Sequence, residues 1–141
     1  MTGDCRSPNI TIDTCFRVMG ESLDPDHISK ELGITPTYSH RKGDTHISPA
    51  GRRFSNRSEG IWIFEPTAES HCSVEVQLHS LADALKDKRQ SLDNFRVEGL
   101  RMDFLVGITG MSEPIAFSID ERLLSKIAGL GIPLEFDLYP S

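Results

Sequence analysis

The chain has 141 residues, a length that a single hydrophobic core commonly serves. Its 38% hydrophobic and 26% charged content fits an ordinary soluble globular protein, and no stretch approaches the roughly 18 apolar residues of a membrane helix. The net charge of −6 argues against general nucleic-acid binding, whose affinity depends on neutralising phosphates.

The N-terminal segment MTGDCRSPN is polar and carries no apolar signal, so a cytoplasmic location is expected. The cysteines Cys5, Cys15 and Cys72 are odd in number and lack metal-type spacing, which suits free thiols in a reducing compartment. Charge is unevenly spread. Between Thr37 and Ser58, Arg41, Lys42, Arg52, Arg53 and Arg57 face Asp44 alone, a local net of +4 that leaves −10 for the remainder.

Residues 1–8 read as a loose arm. From Ile10 to Val18, residues Ile10, Ile12, Thr14, Phe16 and Val18 alternate with Thr11, Asp13, Cys15 and Arg17, the period of a half-buried strand. Asp24 stands at an N-cap position with Pro25 at the first helical position. Ile28 and Leu32 then face the core, and Gly33 ends the helix. Tyr38 to Gly60 shows little apolar periodicity and reads as a long basic loop with a short strand around Thr45 to Ser48. Ile61 to Phe64 is a strand carrying the sole tryptophan, Trp62.

One long helix is expected over Ser73 to Asn94, because Val74, Leu78, Leu81 and Leu85 form a helical stripe that Ala82 and Leu92 extend. Gln90-Ser91 marks a break before Leu92 to Phe95. Leu100 to Ile108 alternates again; a hairpin-like turn at Gly110 to Pro114 should return Ile115 to Ile119 as a strand. Asp120 caps a helix with apolar Leu123, Leu124, Ile127 and Leu130, ended by the Gly129/Gly131 pair, and Leu134 to Tyr139 closes the chain as a strand. Val18 to Thr37 is faintly echoed by Ile119 to Tyr139: Ile28-Ser29-Lys30 answers Leu124-Ser125-Lys126 and Leu32-Gly33-Ile34 answers Leu130-Gly131-Ile132, which suggests a loose two-half repeat.

Taken together, Leu23-Asp24-Pro25, Ile28-Ser29, Leu32-Gly33-Ile34-Thr35-Pro36-Thr37, Lys42-Gly43-Asp44, Trp62, Leu130-Gly131 and Leu134 to Tyr139 give an ordered pattern. It resembles the bacterial domain-of-unknown-function 4279 family across nearly the whole chain. The resemblance implies a single-domain, cytoplasmic, non-membrane bacterial protein and supplies no catalytic residues. Small proteins of this kind often serve as immunity partners of toxins, and the resemblance raises that role.

Arg41, Lys42, Arg52, Arg53 and Arg57 around Gly43 and Gly51 have the chemistry of a phosphate, nucleotide or acidic-surface site, since arginine makes bidentate oxyanion contacts. The alternative is a solvated loop balanced by acidic neighbours. The segment has no GxxxxGK[ST] phosphate loop. His40 with His46, and His71-Cys72 with His79, do not supply the convergent ligands that zinc requires, so no metal is expected. Cys72 beside His71 near a helix start lacks a third group, and Ser39-His40-Arg41-Lys42 matches S-x-x-K without its companion motifs. Asp24 with Asp26, and Asp120 with Glu121, are explained as helix caps and dipole partners. Trp62 with Phe64 is read either as an exposed pair or as part of a strand buried on both faces.

These readings converge on a single α+β domain, an antiparallel or mixed sheet of about five or six strands with helices mainly on one face. The expected function is a non-enzymatic protein-binding module, most concretely an immunity-type protein, with Trp62, Glu65, Glu69 and Glu75 as candidate partner contacts. The alternatives are an anion- or nucleotide-binding domain using residues 38–60, and an unrecognised hydrolase or transferase. No catalytic residue and no cofactor is assigned.

Overall fold

The computed structural model describes residues 10–47, 53–67, 73–111 and 114–140, with the backbone alone for residues 45–47, 53–56, 111 and 140. The loose arm therefore falls outside the described residues. Strand β1 (Thr11–Gly20) is followed by helix α1 (Pro25–Leu32), then β2 (Tyr38–His40), β3 (Thr45–Ile47), β4 (Arg53–Asn56) and β5 (Gly60–Phe64). Helices α2 (Val74–Ala84) and α3 (Arg89–Val97) precede β6 (Arg101–Met111), α4 (Glu121–Leu130) and β7 (Leu134–Pro140). Five strands make one mixed sheet in the order β2-β5-β1-β6-β7, and β3 and β4 pair separately. The fold is α+β, with the helices on one side of the sheet.

The alternation in β1 assigns its two faces. Ile12, Thr14, Phe16 and Val18 are buried against the helices, with Met102, Phe104, Val106 and Ile108 of β6 beside them. Trp62 joins this core through edge contacts to Phe16, ring centroids 6.1 Å apart. Helices α1 and α4 are built alike. Asp24 accepts the Asp26 N–H, Asp120 accepts the Leu123 N–H, and Gly33 and Gly131 end the helices at φ 67° and 71°. Those left-handed positions suit glycine because it has no Cβ to clash.

The echo between the halves is thus visible as capped helix, left-handed glycine and extended exit, but Val18 lies in β1 whereas Ile119 lies in no strand. It diverges at the sheet. β6 and β7 are parallel neighbours joined by α4, whereas β1 and β2 run parallel with β5 antiparallel between them.

Three expectations are corrected. The long helix is two helices. Leu85 ends α2 with its N–H shared between Ala82 and Asp83 carbonyls, and the chain turns through Lys88 into α3, a few residues ahead of Gln90-Ser91. The turn carries α3 to α1, where the Phe95 ring meets His27 at 5.9 Å and Ser91 Oγ donates to the Glu31 carbonyl. Residues 115–119 form no strand, because β6 already has β1 on one edge and β7 on the other. A strand returning from β6 finds both edges of β6 already taken. Finally, the basic segment holds more than the short strand expected around Thr45 to Ser48: besides β3 at that place, its described residues include β2 and β4, with Gly43 N–H donating to Arg57 C=O and Arg57 N–H to Asp44 C=O.

Polar groups finish the packing. Where β5 stops short of the end of β1, Gln77 of α2 takes the place of a strand. Its Nε2 donates to the Ile12 carbonyl (2.7 Å), and its Oε1 accepts from Thr14 N–H (3.2 Å) and Thr14 Oγ1 (3.0 Å). On α3, Arg96 donates to the carbonyls of Leu130 (2.7 Å) and Gly131 (2.8 Å), and Arg89 to that of Gly129, so two cations close the C-terminus of α4. Among the described residues, no helix is long and apolar enough to cross a membrane.

Candidate functional site

The strand residues that point away from the helices form the second face of the sheet. Residues paired across neighbouring strands share a face, so the register assembles it row by row. Met19 lies between Ile61 and Arg101, Arg17 between Ile63 and Asp103, and Leu105 between Cys15 and Glu135. Gly107 lies between Asp13 and Asp137, and Tyr38 of β2 extends the Ile63 row. Among the described residues no helix lies on this face. Its centre is a half-buried apolar stripe of Met19, Ile61, Ile63, Leu105 and Cys15.

Carboxylates lie along much of that centre, Asp13, Glu65, Glu135 and Asp137 exposed and Asp103 buried, while Arg101, paired with Glu59 at 2.6 Å, stands at the other end. Arg17 holds Asp103 bidentately, Nε to Oδ1 at 2.8 Å and an NH2 to Oδ2 at 2.6 Å, and approaches Glu135 at 3.6 Å. Burial works against a charge on Asp103, yet the hydrogen bond from Arg17, with one from Glu135, keeps its pKa below the ordinary carboxylate value. Glu135 moves the other way, raised chiefly by its hydrogen bond to Asp103 and then by that neighbour's negative charge. Burial pushes the Cys15 thiol up to about 11; Arg17 lowers it less than burial raises it, and Asp103, Glu65 and Asp13 add to the rise. A thiol so placed stays protonated at neutral pH and is a poor nucleophile.

The predicted basic residues are arranged differently. Arg41 pairs with Asp24 (2.8 Å) and Asp26 (3.2 Å), while Lys42 pairs with Glu21 (2.7 Å). Arg57 donates to the Tyr38 hydroxyl at 3.4 Å. These three cations therefore meet the protein's own groups. The side chains of Arg53 and His46 lie outside the described residues, as do Arg52, His71, Cys72 and the candidate contact Glu69.

The remaining partner candidates separate. Trp62 faces inward, fully buried, with its indole N–H on Ser29 Oγ at 3.0 Å, so it offers no outer surface. Phe64 follows it as a partly buried residue packed on the core. Glu65 is exposed beside Cys15, on the open face. Glu75 is on the helix side instead, where it accepts the Asp120 N–H at 2.8 Å. His79 contacts Lys126 Nζ at 3.1 Å, and His40 contacts the Tyr38 hydroxyl at 2.8 Å. Among the described residues no three His, Cys, Asp or Glu side chains gather as metal ligands do.

Asp13, Asp103, Glu135 and Asp137 are absent from the sequence-derived candidates. Their signal was the polar half of the alternation in β1, β6 and β7, which marks the face but not its neighbours. Clefts among the described residues lie on the opposite, helical side. One of about 330 Å³ is lined by Ser73, Val74, Glu75 and Ala116 to Ser118, and one of about 270 Å³ lies between α2 and α4.

No curated protein and no solved structure matches this chain. Residues 10–141, essentially its whole length, match the family described as Domain of unknown function (DUF4279), and the chain belongs to that family.

Proposed function

We propose that the protein is a non-enzymatic binding module whose open sheet face docks a basic protein partner. Its most concrete form is an immunity-type protein that occludes a cognate bacterial toxin. The observation that carries the reading is the arrangement of the face: a half-buried apolar centre with carboxylates along much of it, and no helix over it among the described residues. An apolar centre with a polar rim is the usual anatomy of a protein interface. The carboxylates would speed encounter with a positively charged surface. The anion-binding alternative is less well supported, because Arg41 and Lys42 would have to give up Asp24, Asp26 and Glu21 to hold a phosphate.

The test is to recover the tagged protein from its host and identify what survives a salt wash. Association of that partner is then timed with the triple variant Asp13→Asn, Glu65→Gln, Asp137→Asn. Association about ten-fold slower at low salt, with dissociation little changed, is the expected result. Rates equal to those of the parent protein would discard the face as the docking surface.

A further inference from the structure

The two edges of the sheet are unequal. β2 is three residues long, whereas β7 runs seven residues, Leu134–Pro140, and among the described residues pairs only with β6. The Phe104 N–H donates to the Pro133 carbonyl at 2.9 Å. In a parallel ladder alternate residues turn their N–H and C=O groups to the same neighbour. Leu134, Phe136 and Leu138 therefore direct theirs outward, away from β6.

The side chains of this edge are also largely open to solvent. Phe136 and Leu138, on the helix side, are 40% and 55% exposed, and Phe117 stacks on Phe136 at 5.9 Å. Glu135 and Asp137 lie on the open face, both exposed. Natural edges are commonly blunted by shortness, lysine, proline or an inward charge. β7 is neither short nor lysine-bearing, its proline and register shift come at its C-terminal end, and the charged side chains along it, Glu135 and Asp137, are both acidic.

We infer that β7 accepts an extended segment of a partner protein as a sixth strand, one that alternates apolar and basic side chains. This rests on the reading of the chain as a protein-binding module and specifies how it binds. The added backbone bonds to the outward groups of Phe136 and Leu138, as in other strand-addition complexes. Its apolar residues lie beside Phe136 and Leu138, and its basic residues beside Glu135 and Asp137. Charge decides against a second copy of the chain. Two β7 strands paired antiparallel in one sheet set Glu135 opposite Asp137, or Asp137 opposite itself, and like charges directly opposite each other destabilise a sheet.

The experiment uses a fluorescent peptide of about ten residues alternating valine and lysine, since a strand of this kind spans β7. Its controls are a valine–glutamate alternation, a peptide of the same composition with lysines and valines in separate blocks, and the valine–lysine peptide N-methylated at alternate residues. Anisotropy is followed at about 50 mM and 300 mM salt. The alternating basic peptide should bind at least about ten-fold more tightly than every control. Leu138→Pro, which removes an outward N–H and leaves the β6 ladder intact, should weaken it about as much, and so should Asp137→Lys. Circular dichroism and Trp62 emission check that each variant is folded. If Leu138→Pro does not fold, the N-methylated peptide and Asp137→Lys decide.

Equal binding of the block peptide, or unchanged binding to a folded Leu138→Pro, overturns the inference. So does a concentration-dependent dimer in sedimentation that Leu138→Pro abolishes, which would give the edge to a second copy. A host partner that Leu138→Pro retains in full overturns the edge while leaving the module reading standing. Binding of neither peptide nor partner overturns both.

Discussion

Arg17 and Asp103 come from strands 86 positions apart and meet in a two-point ion pair on the sheet face away from the helices, with Asp103 3% exposed and Arg17 24% exposed. Asp103→Asn keeps an acceptor but leaves Arg17 without its counter-charge, at a cost of about 2 kcal/mol in denaturant unfolding at neutral pH. The folded pKa of Asp103 is lowered, so its stabilisation is present above the unfolded carboxylate value of about 3.9 and is lost as pH falls through the folded value. The difference between Asp103→Asn and the parent should therefore be largest near pH 7 and shrink below about pH 4. A difference that is flat across that range would show the pair to be packing alone.

Glu135 carries the opposite sign. Its raised pKa means that the folded state favours the protonated form, so its contribution is present at low pH and lost as pH rises through the folded value. Glu135→Gln keeps a hydrogen-bond donor for Asp103 and removes the repulsion. Its unfolding midpoint should exceed the parent's at neutral pH and match it near pH 4. A lower midpoint at neutral pH would mean that the 3.6 Å approach to Arg17 outweighs the repulsion from Asp103.

Gln77→Leu tests the side chain that substitutes for a strand. The change conserves approximate volume but strips the Ile12 carbonyl and Thr14 N–H of their partner inside the core. Buried groups left unpaired cost about 1–3 kcal/mol each, so about 2–6 kcal/mol is expected for the two in urea unfolding. A loss below about 0.5 kcal/mol would show that water or β5 takes over the two bonds.

Ser29→Ala removes the acceptor of the Trp62 indole N–H without touching its packing. A loss of about 1 kcal/mol is expected. Because Trp62 is the only tryptophan and is fully buried, its emission should be blue-shifted in the folded protein and stay so in the variant. A red shift would indicate that the ring has left the core.

Much of the architecture is legible in local chemistry. The alternation around Phe16 separated the two faces of β1, and Asp24-Pro25, Gly33, Asp120 and Gly131 marked the starts and ends of α1 and α4. These signals are local because a cap, a left-handed glycine and a period of two are each decided within a few residues. The α2–α3 turn was misplaced for the same reason. The apolar stripe runs on through Leu85 and Leu92, both buried, on either side of the turn, so periodicity does not locate it.

What only the tertiary structure decided is adjacency. That β7 takes the edge of β6, leaving residues 115–119 no place beside β6, depends on backbone hydrogen bonds that every sequence offers alike. The same holds for Arg17 finding Asp103, Gln77 reaching Ile12, and Arg41 turning to Asp24. Each is a contact between distant residues whose partner is chosen by the strand order. The sequence by itself determined which faces and caps exist. The folded chain decided which acids share a face and which edge is left open, because those follow from how strands pair across the sheet.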